Sequence, residues 1–192
     1  MNETPIITAF LDASVLYPAL LRDILMRLAL RGVFRAHWST KVQDEWASAL
    51  SRNRPDIPQA RIERTRRLMD SRINNALVEG YEHRIDSITL PDVDDRHVLA
   101  AAIHCQAQVI VTTNLRDFPD TALAEFGIEA VHPDAFILGL LEADQSEVVT
   151  VLHWLRSTLK KPPTTAADLL ADMKRQGLAS TADALGAFID GL

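Results

Sequence analysis

The sequence predicts an α/β fold built on a parallel sheet and followed by an all-helical tail. Three observations carry this. Residues 6–11 and 109–113 are short apolar runs without polar alternation, the pattern of strands buried on both faces. Amphipathic helical stretches separate the strand candidates, giving the order β-α-β-α-β-α-β. After Pro133 no strand candidate remains.

In chain order, residues 6–11 form the first strand and Asp12 stands where it ends. Ser14 can cap a short helix that Pro18 interrupts. A helix over about 22–31 carries Ile24, Leu25 and Leu28, with Gly32 as its stop. Residues 33–37 read as the second strand. Thr40-Lys41-Val42-Gln43 has the Thr-x-x-Gln form of a capping box, and its helix places Val42, Trp46, Ala49 and Leu50 on one face. A loop at 53–58 leads to a mostly polar helix over 59–72. Residues 85–90 alternate and are expected to be a strand. The helix over 94–106 puts Val98, Leu99, Ala101, Ala102 and Cys105 on one side. A strand at 109–113, a helix at 121–126 ended by Gly127, and a strand at 128–131 follow. The tail reads as helices at 135–141, 147–159, 166–176 and 181–189, broken at Lys160-Lys161-Pro162-Pro163. The expected division is therefore 1–132 for the α/β domain and 133–192 for a helical C-terminal extension.

Composition excludes several classes. The chain has 192 residues, and its single cysteine, Cys105, allows neither a disulfide framework nor a Cys-based zinc site. A reducing, cytoplasmic compartment is the default expectation from that usage. Residues 1–5 lack a basic n-region and an apolar h-region, so no signal peptide is expected. The apolar runs 98–103 and 136–141 fall far short of the roughly 20 residues of a membrane span. The net charge of −6 argues weakly against a nucleic-acid partner, but it is unevenly distributed. Residues 51–72 hold seven arginines against three acids, net +4, which leaves −10 for the rest.

Ligands of open parallel sheets bind beyond the carboxyl ends of the strands. Asp12 ends the first strand there, and Asn114 and Asp117 follow the strand at 109–113. On ideal helices, Asp95 and Glu45 lie within about 60° of Val98 and Val42, and Asp94 about 40° to the other side of Val98. All three are expected to point toward the core. A carboxylate there is costly unless paired or bound to a cation. Singly, each has an ordinary explanation: Asp94 or Asp95 as an N-cap, Glu45 as a solvated helix residue, Asp12 and Asp117 as turn residues. Together they converge on one cleft. Clustered carboxylates suit hard divalent cations such as Mg²⁺, which are often shared with a phosphate.

At these residues the sequence resembles the PIN domain, the nuclease domain of VapC-type toxins. Phe10-Leu11-Asp12-Ala13-Ser14 resembles its opening and Lys41-Val42-Gln43-Asp44-Glu45-Trp46 its acidic helix. The stretch from Asp92 through Asp94-Asp95-Arg96-His97 to Ala102 resembles its third motif. Val111-Thr112-Thr113-Asn114-Leu115-Arg116-Asp117-Phe118 resembles its fourth, with Asn114 where many relatives carry Asp. The resemblance covers about residues 5–132, and the tail is similar to the extension of a longer subgroup.

The resemblance implies a three-layer α/β/α fold and an endoribonuclease dependent on Mg²⁺ or Mn²⁺. Asp12 and Asp95 would be the principal metal ligands. Glu45 would hold metal or activate water, and Asp94, Asn114 and Asp117 would complete the shell. It also implies products with 5′-phosphate and 3′-hydroxyl ends, a toxin–antitoxin role, a protein antitoxin and a homodimer. Ser14 and Thr113 could bond the scissile phosphate or a ligand carboxylate, or be cap and turn hydroxyls. His97 beside the acidic pair is a candidate ligand. His37, His104 and His153 lack metal-ligand spacing.

Arginine suits planar contact to phosphate, so Arg52, Arg61, Arg64 and Arg67 of the basic strip, with Arg96, are candidate RNA contacts. The strip could instead be a solvated helix with local pairs such as Glu63–Arg67, or a site for an acidic partner segment. Two competing functions remain. One is a nucleic-acid-binding or regulatory module without turnover. The other is a phosphoacceptor domain, disfavoured because Lys41, Lys160, Lys161 and Lys174 all lie away from the ends of core strands.

Overall fold

A computed structural model describes residues 6–159 and 163–192. The signal-peptide expectation at 1–5 and most of the Lys-Lys-Pro-Pro break lie outside these residues. The chain forms two compact units. One comprises Ile7–Tyr17 and Arg35–His132, and the other Pro18–Phe34 and Pro133–Leu192 together with Ile6. Residues 18–34, grouped with the α/β domain from sequence, thus belong with the C-terminal helices. No helix among the described residues is long and apolar enough to cross a membrane.

The first unit is built on five strands: β1 (Thr8–Leu11), β2 (Arg35–Ser39), β3 (Leu77–Val78), β4 (Val109–Val111) and β5 (Glu129–Val131). Their order is β3-β2-β1-β4-β5, and every pair is parallel. Phe10 of β1 lies opposite His37 on one side and Ile110 on the other. The central strand β1 is buried at all four residues, which is why its sequence does not alternate. The chain order reverses across β1, so the carboxyl ends of β1 and β4 form the topological switch point.

Five helices complete this unit: α1 (Ala13–Leu16), α3 (Thr40–Asn53), α4 (Gln59–Arg72), α5 (Arg96–His104) and α6 (Asp120–Leu123). Helix α5 packs on β1, β2 and β4, with Val98 through Ala102 completely buried. Three consecutive alanines let its backbone approach the sheet closely. Helix α4 buries only Ile62 and Met69. Polar contacts hold it instead: Asp70 accepts from the Trp38 indole N–H at 2.9 Å and from Gln43 at 2.6 Å, and Arg66 donates to Gln43.

The second unit contains α2 (Ala19–Leu30), α7 (Pro133–Ala143), α8 (Gln145–Thr158), α9 (Ala166–Arg175) and α10 (Ala179–Leu185). Gly32, at φ +76°, follows α2 as expected of a stop residue. Arg27 of α2 lies 4.3 Å over the Trp154 ring of α8, and Arg31 pairs with Glu147. Asp134 caps α10, accepting from the Ser180 and Thr181 N–H groups at 2.9 and 2.8 Å.

Several local expectations need correction. Residues 85–90 are not a strand: Glu82–Ser87 is a 3₁₀ helix, and the third strand is β3. Ile88 and Leu90 are buried and Thr89 exposed, so the alternation reflects anchoring of an extended loop rather than sheet pairing. The cap of α3 is Ser39, whose hydroxyl accepts from the Val42 N–H, while Gln43 is buried on Asp70. Helix α1 is capped by Asp12 rather than Ser14. Helix α5 starts at Arg96, because the Asp94 N–H is taken by the Asp92 carboxylate at 2.8 Å in an Asx turn. The expected Glu63–Arg67 pair is replaced by Glu63–Arg66.

Candidate active site at the carboxyl edge of the sheet

Asp12 leaves β1 at the switch point and is only 5% exposed. Its N–H continues the sheet by donating to the Val111 carbonyl at 3.1 Å. Its carboxylate collects four donors. Oδ1 accepts from the Ala13 N–H at 2.7 Å, and Oδ2 accepts from the Ser14 N–H at 3.4 Å. Oδ2 also accepts from the Ser14 hydroxyl at 2.7 Å and the Thr112 hydroxyl at 2.8 Å. Each hydrogen bond to a charged group contributes about 1.5–3 kcal/mol, so this carboxylate is held firmly in one place.

The same hydroxyls tie β1 to the segment after β4. Ser14 Oγ accepts from the Thr113 N–H at 3.1 Å, and Thr112 Oγ1 accepts from the Asn114 N–H at 3.0 Å. Thr112, completely buried, is a supporting residue that the sequence did not single out. The Thr113 hydroxyl instead faces Asn114 Oδ1 at 3.5 Å and is exposed. Asn114 itself is exposed, and Asp117 is half-buried at the end of a 3₁₀ turn.

Asp95 is half-buried just before α5, and its own side chain makes no cap hydrogen bond. Burial raises its pKa to about 6, with further contributions from Asp12, Asp117 and Asp92 and an opposing one from His97. The structure therefore brings Asp12, Asp95 and Asp117 into one electrostatic neighbourhood. It adds Asp92, another residue not singled out from sequence. Neither Asp94 nor Glu45 is among the groups raising Asp95, and Asp94 is exposed, which corrects its expected inward placement. That expectation assumed a helix beginning at residue 94.

Glu45 lies on α3, with its side chain 38% exposed. His97 Nε2 approaches its Oε1 to 2.8 Å, off the line of a hydrogen bond. His97 is 1% exposed, and neither ring nitrogen has a hydrogen-bond partner among the described residues. Burial, followed by Glu82 and Glu45, pushes the nearby Tyr81 hydroxyl up, against a hydrogen bond with Ser39. Glu45 also lines an open groove of about 370 Å³ with Lys41, Asp44, Ser48 and Arg52.

The basic strip divides into paired and unpaired arginines. Arg66 meets Asp44 at 2.5 Å and Glu63 at 3.5 Å, and Arg54 meets Asp56 at 2.7 Å. Arg52, Arg61, Arg64, Arg67 and Arg72 are exposed and have no ion pair among the described residues. Arg96 is half-buried, with its Nε enclosed and lacking a hydrogen bond.

The donor chemistry fits a hard divalent cation. The side chains of Asp12, Asp95 and Asp117 offer carboxylate oxygens, and Asp95 is raised by burial and then by neighbouring carboxylates. No three His, Cys, Asp or Glu side chains among the described residues converge as a ready-made ligand group. A hard cation could be held here only through one or two carboxylates and water, not in an all-protein cage.

Comparison with known proteins adds three findings. A PIN-domain family model matches residues 8–116, and a VapC50 C-terminal-domain model matches residues 133–187. A Mycobacterium tuberculosis protein named "Putative ribonuclease VapC50" is 41% identical over 104 residues, 54% of this chain and 61% of that protein. The chain thus matches less than two thirds of that relative's length. No solved structure matches the chain.

Proposed function

Because this chain belongs to the PIN-domain family, we propose that it is a Mg²⁺- or Mn²⁺-dependent endoribonuclease and the toxin of a toxin–antitoxin pair. The observation that carries the reading is Asp95, pushed up to about 6 by burial and by the carboxylates of Asp12, Asp117 and Asp92. Such a group gains most from a cation shared with its neighbours. The relative's name as a ribonuclease supports the substrate class.

In this reading Asp12 and Asp95 hold the cation, and Asp117, or the Asn114 carbonyl, completes its oxygen ligands. When bound, the ion acidifies the attacking water and offsets charge developing at phosphorus. Ser14 and Thr112 keep the Asp12 carboxylate in register between the two strand ends. Glu45 would also hold the cation, directly or through a bound water, and would accept the proton of the attacking water. The P–O3′ bond breaks and the leaving 3′-oxygen takes a proton from solvent water, giving 5′-phosphate and 3′-hydroxyl ends. Lys41 and Arg52 in the groove beside Glu45, with exposed Arg61, Arg64 and Arg67, conduct the RNA backbone. Residues 133–192 form the helical extension, and an acidic antitoxin segment competes for the same arginines in the cytoplasm.

The test is cleavage of single-stranded and structured RNA with Mg²⁺, Mn²⁺ or EDTA, alongside Asp12→Asn and Asp95→Asn. Cleavage lost in EDTA and in both variants supports the reading. Cleavage that survives all three overturns it. The toxin role predicts growth arrest on expression, relieved by a small protein encoded beside this gene. One observation favours a second reading, an RNA-binding module without turnover: Asn114 stands where the family commonly has an acid, and it is neutral. RNA binding without cleavage in any metal would select that reading.

A further inference from the structure

We propose that His97 is a positioning residue that holds the Glu45 carboxylate toward the cation of the candidate site. The inference rests on the metal-site reading above and gives a different role to a residue that the sequence offered only as a candidate ligand.

His97 sits in the first turn of α5, beneath the surface, while its neighbours Val98 to Ala102 are apolar and packed on the sheet. An imidazole in such surroundings is costly unless its nitrogens are satisfied. Here neither nitrogen has a hydrogen bond among the described residues. A buried polar group left in this state calls for a specific explanation, an absent ion or a functional partner among them. The partner at hand is Glu45, whose Oε1 lies 2.8 Å from Nε2.

Glu45 in turn makes no hydrogen bond among the described residues, and His97 is its ion-pair contact. It comes from α3, whereas Asp12, Asp95 and Asp117 come from the ends of β1, the turn before α5 and the turn after β4. An exposed glutamate on a separate helix has several rotamers open to it. A rigid buried donor selects one of them. His97 also acts electrostatically on Asp95, two residues earlier, so its influence reaches the turn before α5 as well as α3. Contacts of this kind are commonly misaligned before ligand binding and tighten when the site fills.

The experiment is a double-mutant cycle on the full chain, read by calorimetric titration of Mn²⁺ without RNA. The variants are His97→Leu, His97→Gln, Glu45→Gln and the double His97→Leu/Glu45→Gln, each checked for native near-UV circular dichroism. Loss of an outer partner of a metal ligand commonly costs about 10–100-fold in affinity, so His97→Leu is expected to weaken Mn²⁺ binding about tenfold. His97→Gln, which retains an N–H donor of similar reach, is expected to restore most of that loss. In the Glu45→Gln background, His97→Leu should change nothing further. If His97→Leu fails to fold, His97→Asn, too short to reach Glu45, takes its place with the same expectation.

Wild-type Mn²⁺ affinity in His97→Leu, losses that multiply in the double variant, or no Mn²⁺ binding by the wild-type chain would each overturn the proposal. The nuclease reading is separated from it by the RNA assay. An intact cycle without RNA cleavage sinks the activity alone. Metal-dependent cleavage lost in Asp12→Asn, with a failed cycle, sinks the role of His97 alone.

Discussion

Replacing Asp95 with Asn removes a charge while keeping shape, and its effect on stability can be worked from the site. Asp95 is raised from 3.8 to about 6, first by burial and then by Asp12, Asp117 and Asp92. Below pH 4 the folded and unfolded states both hold the proton, and the group contributes nothing. Between about 4 and 6 the unfolded chain releases the proton while the folded chain keeps it, so wild-type stability falls as pH rises. Above 6 the penalty is complete. Two pKa units correspond to about 3 kcal/mol. Asp95 is about half exposed, and solvent screening reduces this to about 1 kcal/mol. Metal-free Asp95→Asn should therefore be about 1 kcal/mol more stable than wild type at pH 7.5, a rise of roughly 2–4 °C in Tm. The gain should vanish at pH 3.5. Urea unfolding in EDTA across this range measures it. Adding Mg²⁺ should stabilise the wild type and leave the variant nearly unmoved. Equal or lower stability of the variant at pH 7.5, or a gain independent of pH, would refute the argument.

Other outcomes follow from particular contacts. Thr112→Val deletes a donor to Asp12 and the acceptor of the Asn114 N–H at a fully buried position, and urea unfolding should register a loss of about 2–3 kcal/mol. Ser14→Ala, half-exposed, should cost less. Burial pushes Asp134 up, but hydrogen bonds from Thr181 and Ser180 prevail and hold it below its ordinary 3.8. Its stabilising contribution is present above that value and is lost as pH falls through the lower folded value. Asp134→Ala should cost about 2 kcal/mol at pH 7 and progressively less in acid, read from paired thermal melts. Replacing Arg61, Arg64 and Arg67 with Gln should weaken RNA binding in filter assays uniformly across sequences. It should also lower the log–log salt slope by about 2, at roughly 0.7 per lost contact to a single strand.

The fold was legible wherever one local signal had one structural meaning. Unbroken apolar runs marked β1 and β4 because both are covered on two faces. Gly127 marked the end of its helical segment through its left-handed φ of +65°. Alternation at residues 85–90 misled because it records which side chains are buried, and an extended loop anchored by Ile88 and Leu90 produces the same pattern as a strand. The grouping of residues 18–34 was not legible. Their amphipathic pattern specifies an apolar face, but the partner, α8, is supplied from more than a hundred residues away.

At the site, strand-end position was the informative signal, since it follows from backbone topology and survives errors of a few residues in element boundaries. It placed Asp12, Asn114 and Asp117 beyond the carboxyl ends of β1 and β4, where the structure has them. Helical-wheel position was fragile, because the Asx turn at Asp92 delays the helix by two residues and leaves Asp94 in solvent. Thr112 was hidden inside a β-rich run where a threonine is ordinary. His97 was visible only as a histidine near acids, and what sets it apart is burial without hydrogen bonds among the described residues, a property no spacing encodes.

Charge is where the sequence total and the structure diverge most. Pairing withdraws Arg54 and Arg66 from the strip, so its attraction for phosphate rests on the five exposed arginines without ion pairs. The acids divide in the same way: Asp44, Asp56 and Glu63 are neutralised locally, whereas Asp95 and its carboxylate neighbours are not. Beyond about 8 Å at physiological salt, exposed charges hardly sense one another. An RNA strand would therefore meet local fields rather than a net charge of −6. In the proposed reading it would be attracted where the exposed arginines have no ion pair among the described residues, and repelled at the carboxylates until a cation occupied them. The same cation that the proposed chemistry requires would also admit the substrate, so metal removal should weaken RNA binding as well as cleavage.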